Sequence, residues 1–325
     1  MLKKIITAFL GILITGLSYS SPIPPAPNLN VKSYVLLDFD SNMILASNNG
    51  DLTLPPASIT KMMTAYLAFT ELKEKNISMN EDILVSEKAW KTGGSKMFIE
   101  VGKKIKVKDI LQGVITVSGN DASVALAEHI SGDEKTFATY MNQMAQNIGL
   151  ENTNYTNATG LPSDSLYTTA EDIAKLSRSL IIEFPDLYKM YSTKSFKFND
   201  IKQYSRNKLL FIDDNVDGIK TGFTKAAGYC LASSAKRGSR RLIAVVMGAP
   251  TPDDRIQASR TLLEYGFRFF ETHTLFKSDT AISTARVFAG EETELKFGLM
   301  KDATVTIPRR QKKKLKYEYI IDRQL

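Results

Sequence analysis

The stretch Pro55-Pro56-Ala57-Ser58-Ile59-Thr60-Lys61 decides how this chain is read. Proline lacks an N–H and restricts the residue before it, so helix is excluded up to Ala57. Beyond it Ile59, Met62, Met63, Tyr66, Leu67 and Phe69 recur at three- and four-residue spacing, which predicts a helix. Ser58 then falls in its first turn and Lys61 one turn on. Residues three apart share a helix face, so the hydroxyl and the amine can meet. N–H groups and the macrodipole at a helix start favour negative charge at the serine. Together these make Ser58 a candidate activated nucleophile. The same letters suit a serine N-cap followed by a solvated lysine. Ser-x-x-Lys also recurs at Ser205–Lys208 and Ser233–Lys236, so the motif needs partners elsewhere in the chain.

The chain has 325 residues, 43% of them hydrophobic and 24% charged, enough for one large domain and a small one. A net charge of +7 suits anionic surroundings such as lipid headgroups or acidic polymers. No basic motif interleaved with aromatics points to nucleic acid. Cys230 is the sole cysteine, so no internal disulfide forms, and its apolar surroundings predict a buried structural thiol. The two histidines, His129 and His273, have no neighbours at metal-ligand spacing, so no metal or other cofactor is implied. A serine–histidine–acid arrangement would need one of them to converge on Ser58; lysine is the more natural base.

Met1–Ser20 reads as a secretory signal: Lys3 and Lys4, an apolar core over Ile5–Leu17, and small Ser18 and Ser20 before a cleavage point. The apolar run is short for a membrane-spanning helix, which needs about 20 residues. Residues 21–30 form a linker, extended over Pro22–Pro27. The expected destination is the periplasm or the cell exterior.

In order along the chain, Val31–Phe39 and Met43–Ser47 predict a hairpin turning at Asp40-Ser41-Asn42. Ile83–Ser86 and Lys96–Ile99 read as short extended pieces. Val107–Val117, Ala122–Ile130, Glu134–Ile148 and Thr169–Glu183 read as helices, the last opening on Thr169-x-x-Asp172, a variant capping box. Ser195–Asn199 and Lys208–Phe211 read as β-like pieces. Val216–Lys220, Tyr229–Ala235 and Leu242–Gly248 are apolar and β-branched enough for a buried sheet, and Pro252–Phe270 is an amphipathic helix. Strands at both ends around central helices predict an α/β (α+β) domain, its sheet edges drawn from both ends of the chain and covered by helices. After about Thr272 short strands alternate with turns, and a small β domain over residues 273–325 is expected.

Two further motifs carry chemistry. Ser118-Gly119-Asn120 lies between two predicted helices and offers a proton-relaying hydroxyl, an orienting amide and a glycine permitting close approach. The same letters make a plain turn. Lys220-Thr221-Gly222 closes a strand, where a lysine and a hydroxyl bind a carboxylate and glycine lets a substrate backbone lie alongside. Lys91-Thr92-Gly93 repeats those letters but sits in a Gly/Ser loop, at most a pocket rim.

In this order and these contexts the three motifs resemble the serine active sites of penicillin-binding proteins and class A β-lactamases. From about Val31 onward the chain resembles the low-molecular-mass penicillin-binding proteins, serine-type D-alanyl-D-alanine carboxypeptidases. Gly119, Gly248-Ala249-Pro250-Thr251, Asp254-Arg255-Ile256 and Tyr265–Phe270 extend the likeness. The resemblance implies a transpeptidase-like catalytic domain over residues 31–272. It implies Ser58 as nucleophile, Lys61 as base and Ser118 as proton relay. Asn120 would hold the substrate backbone and Lys61. Lys220 would help lower the pKa of Lys61, Thr221 and Arg255 would bind the terminal carboxylate, and Gly222 would flank the substrate. Read without it, Arg255 is a solvated first-turn arginine. The implied partners are a peptidoglycan stem peptide ending in D-Ala-D-Ala and, as covalent inhibitors, β-lactams.

Members of this family carry a larger C-terminal β domain ending in an amphipathic anchor helix. Here that domain reads as cut short at Leu325, and the basic run Arg309–Lys316 suits either anionic lipid or a solvated turn. Two other readings stay in view. A class A β-lactamase would carry Glu-x-x-x-Asn, which the chain lacks, and aspartate in place of Gly119. A wall-binding module would keep the fold with little turnover.

Overall fold

The computed structural model describes residues 11–13, 23–287, 294–316 and 318–320. Most of the expected signal segment lies outside them, as do the far ends of the strands expected over Ala285–Ala289 and Tyr317–Ile321. Two compact units divide the described chain. One comprises residues 26–39 and 44–266; the other comprises the described residues from 267 onward, together with 11–13, 23–25 and 40–43.

The larger unit is built on a five-stranded antiparallel sheet. Its strands are β1 (Ser33–Asp38), β2 (Ile44–Asn48), β3 (Val216–Thr224), β4 (Gly228–Arg237) and β5 (Arg240–Ala249), in the order β2-β1-β5-β4-β3. The expected hairpin forms, with Asn42 at φ 59° in its turn. Pairing of β1 with β5 closes the N-terminal and C-terminal halves of the chain into one sheet, and β3, carrying Lys220–Gly222, is left at the edge. Every residue of β1 is buried, because both sheet faces are covered; this is why its middle, Tyr34–Leu37, is apolar without alternation. On one face Val35, Leu37, Ile243, Val245 and Met247 join the main core. On the other, Leu36 and Leu242 pack at Gly266 of the helix Pro252–Phe269.

The helical part surrounds α1 (Lys61–Lys73), whose first nine residues are all buried. Around it pack α2 (Asn120–Ser131), α3 (Glu134–Asn147) and α4 (Ala170–Glu183). Thr169 caps α4, its hydroxyl accepting from the Asp172 N–H at 3.1 Å. Asp172 does not complete a reciprocal box; its carboxylate accepts from the Asn152 N–H and the Thr153 hydroxyl instead. Gly149, at φ 74°, follows α3.

Two expectations are corrected. Lys208–Phe211 is not a strand: Leu209–Ile212 is a short helix, since a brief apolar run fits either state and packing decides. The strand near it is Ile201–Tyr204, paired with Ser195–Phe198. Of the two short extended pieces, Asp82–Leu84 is a strand paired with Lys104–Lys106, whereas Lys96–Ile99 belongs to no strand and Phe98 takes φ 68°.

The second unit is all-β. Phe270–Phe276 pairs with Ala303–Pro308, and Ala281–Arg286 with Glu294–Gly298, both antiparallel. Gly11–Leu13 pairs with Glu318–Ile320. Within the basic run, Lys312–Lys314 forms an exposed single turn.

Candidate active site

Ser58 sits in a 3₁₀ turn, Ala57–Thr60, that feeds directly into α1. The turn is entered through Ala57 at φ 49°, a left-handed conformation that costs energy in a non-glycine residue and clusters at functional sites. Three elements fix it. Gly222 on β3 passes so close that a Cβ there would lie 2.9 Å from the Pro56 carbonyl oxygen. Gly160, at φ 80°, is closer still: a Cβ would fall 1.8 Å from the Ala57 carbonyl oxygen. The third is Lys61 itself.

Lys61 is buried to 1% exposure. Its Nζ lies 2.6 Å from Asn120 Oδ1, 2.5 Å from the Thr159 carbonyl oxygen and 3.2 Å from Ser58 Oγ. Two of these three neighbours are pure acceptors, while the third is a hydroxyl that can donate. A neutral amine has two N–H groups and one lone pair. With both N–H groups given to Asn120 and Thr159, the lone pair is left facing the Ser58 hydroxyl. Burial drives the amine well below the usual lysine pKa, with Lys220 and Arg206 pushing the same way and Asp121 opposing.

Ser118 ends a widened π-type turn, Gly113–Val117, and takes a left-handed conformation at φ 63°. Such widened turns recur at functional sites. Its hydroxyl is buried and has no hydrogen-bond partner among the described residues. Asn120 is not in the interhelix loop as expected but is the first residue of α2. Its amide reaches two ways, Oδ1 accepting from Lys61 and Nδ2 donating to the Gly93 carbonyl at 2.7 Å.

Lys220 lies inside β3 and not at its end; it is buried, and desolvation, then Arg206 and Arg255, bring its pKa down to about 7. Arg255 is buried rather than solvated. Its guanidinium lies 5.7 Å from the centre of the Tyr229 ring, which stacks on Phe223 at 4.2 Å. One Arg255 N–H donates to the Cys230 carbonyl at 3.4 Å, and Nε has no partner among the described residues. A buried guanidinium with an idle donor is prepared for an anion.

Ser58, Ser118, Asn120, Thr221, Gly222 and Arg255 line one cleft of about 540 Å³, an ordinary size for a ligand site. Thr159, Gly160, Leu161 and Arg206 also line it; the sequence reading missed them, although Asn157–Gly160 is a cluster of turn-forming residues. Lys91–Gly93 does not line it, while the adjoining Gly94 and Ser95 do. Neither histidine lines it. Cys230 is buried, and desolvation raises its thiol to about 11.

The family model described as D-alanyl-D-alanine carboxypeptidase matches residues 20–251. The chain belongs to that family. A second model, the C-terminal domain of penicillin-binding protein 5, matches residues 270–325 of the carboxypeptidase. The D-alanyl-D-alanine carboxypeptidase DacC of Escherichia coli is 40% identical over 322 residues, covering 97% of this chain and 80% of the relative. DacA of Haemophilus influenzae is 43% identical, covering 90% and 76%. Among solved structures, penicillin-binding protein 5 of Haemophilus influenzae superposes with a TM-score of 0.86 at 42% identity, over 89% of this chain and 86% of that one. Penicillin-binding protein D2 of Listeria monocytogenes, solved with ampicillin bound, gives 0.68 at 30% identity, over 74% and 100%.

Proposed function

We propose that this serine-type D-alanyl-D-alanine carboxypeptidase works through Ser58 as nucleophile and neutral Lys61 as base. The reading rests on the three contacts of the Lys61 amine, which leave its lone pair to the Ser58 hydroxyl. Lys61 takes the hydroxyl proton as Oγ attacks the carbonyl carbon of the penultimate D-alanine. Negative charge on the carbonyl oxygen is met by the Ser58 N–H and an N–H of β3 after Lys220, where one such donor is worth about 10²–10³ in rate. The C–N bond then breaks. The leaving amine receives its proton through Ser118, a role supported by its buried hydroxyl, which has no partner among the described residues. Water, deprotonated by the same amine, attacks the ester and frees Ser58.

The substrate lies as an extra strand along the open edge of β3. Its terminal carboxylate meets Arg255 and the Thr221 hydroxyl, with Lys220 behind them. Asn120 holds the substrate backbone on the facing side. A β-lactam offers the same carboxylate and a strained amide, so it acylates Ser58 and leaves slowly. Peptidoglycan stem peptides are the substrate, and the periplasm is the compartment, which the charged and apolar pattern of Met1–Ser20 supports. Release of D-alanine from a peptide ending in D-Ala-D-Ala tests the reading. Wild type releases it and Ser58→Ala does not; equal release by both would overturn the assignment of Ser58.

A further inference from the structure

Residues 93–99 form a strap along one wall of the cleft, with Gly94 and Ser95 lining it. The strap belongs to no helix or strand, so its backbone groups must find partners elsewhere. Two consecutive residues of α2 partner five of them, while Gln203 and Asn199 donate to the Lys96 and Phe98 carbonyls. The Asn120 N–H donates to the Ser95 carbonyl at 2.7 Å, and the Asn120 side chain to the Gly93 carbonyl at 2.7 Å. The Asp121 carboxylate then accepts from the N–H groups of Met97, Phe98 and Ile99 at 2.8, 2.9 and 3.3 Å, and from its own helix at Ala122 at 2.9 Å. Phe98 is held at φ 68° by this grip.

Asp121 is 1% exposed. A buried carboxylate without a cation against it is expensive unless N–H donors surround it, and four do so here. This arrangement couples the strap to the reacting groups, because Asp121 lies on the same turn of α2 as Asn120, which contacts Lys61, and three residues after Ser118. We propose that Asp121 is a positioning residue for acylation: its carboxylate fastens the strap to the Ser118–Asn120 turn and so holds Asn120 and Lys61 in their reactive geometry. The proposal rests on the assignment of Lys61 as base. The charge has a second effect. Lys61 is faced by Lys220 from β3, by Arg206 from the segment before Leu209–Ile212, and by Asp121 from α2. Asp121 is the anion in that set and keeps the amine from losing its proton too readily.

Asp121→Asn removes the charge and turns N–H groups against N–H groups at nearly constant volume. Acylation by a fluorescent penicillin, followed from pH 5 to 9, should slow by about 10²-fold at the optimum, the cost of small misplacements of reacting groups. Its acid limb should move to lower pH, because loss of a neighbouring anion favours the neutral amine. Hydrogen exchange at Met97, Phe98 and Ile99 should accelerate by about tenfold or more while α1 stays protected. Asp121→Glu, which keeps the charge, should restore the acid limb without restoring the rate. Wild-type rate and pH profile in Asp121→Asn would overturn the proposal. So would a rate lowered equally at every pH, which marks a merely structural residue. In the wild-type protein, free exchange at Met97–Ile99 would refute the fastening directly, whether or not the variant folds. Ser58→Ala separates this from the assignment it rests on: persistent labelling of Ser58→Ala would remove the reading of the site itself.

Discussion

Lys61 Nζ lies 2.6 Å from Asn120 Oδ1, a contact between residues 59 positions apart. It joins the first and second motifs into one device. Because Asn120 offers only an acceptor there, it claims a proton of the amine and turns the lone pair away from itself. In the proposed mechanism an amide and a backbone carbonyl, neither of which reacts, set the direction in which Lys61 acts as a base.

Replacing Lys220 with methionine should move the acid limb of acylation to higher pH. Lys220 is one of the cations that lower the pKa of Lys61. Removing it lets Lys61 hold its proton to a higher pH, so the neutral base appears later as pH rises. A pH–rate profile of penicillin acylation for wild type and Lys220→Met measures this. An acid limb that stays in place or moves down would contradict the electrostatic account.

Gly160→Ala should unfold the nucleophile's surroundings. The added methyl falls on the Ala57 carbonyl, and φ 80° strains any residue with a Cβ by roughly 1–3 kcal/mol. Thermal unfolding should show a loss of about 2 kcal/mol or more, with acylation falling alongside. A variant as stable and as active as wild type would mean that the loop at Thr159–Leu161 does not buttress Ser58.

Truncating Arg255 to methionine should weaken substrates that end in a free carboxylate. Charge-assisted hydrogen bonds are worth about 1.5–3 kcal/mol, or roughly ten- to a hundredfold in kcat/KM. A peptide amidated at its C-terminus should be equally poor with both proteins. The two kcat/KM values for each peptide decide the point; an equal loss on acid and amide would place the carboxylate elsewhere.

Much of this site was legible because its motifs carry local signals. The prolines before Ala57 and the apolar spacing after it placed Ser58 at a helix start, and β-branched runs placed Lys220 on a strand of a buried sheet. What remained hidden depends on chain closure. Thr159 contributes a backbone carbonyl, which no side chain announces. Arg206 sits in a turn beside an apolar run whose state packing decided. Asp121 reads as one more polar residue at a helix start, and only the strap it grips, 22 to 24 residues upstream, reveals its burial. Arg255 reads as a surface residue by position, since nothing in its own helix shows that Tyr229 and the Cys230 carbonyl cover it.

The central claim is that one hydroxyl, at Ser58, becomes acylated with Lys61 as its base. Mass mapping of the adduct formed with a penicillin tests it most directly. The account predicts a single modified peptide carrying Ser58, and no adduct on Ser58→Ala. An adduct on another residue, or labelling of Ser58→Ala at the wild-type rate, would contradict it.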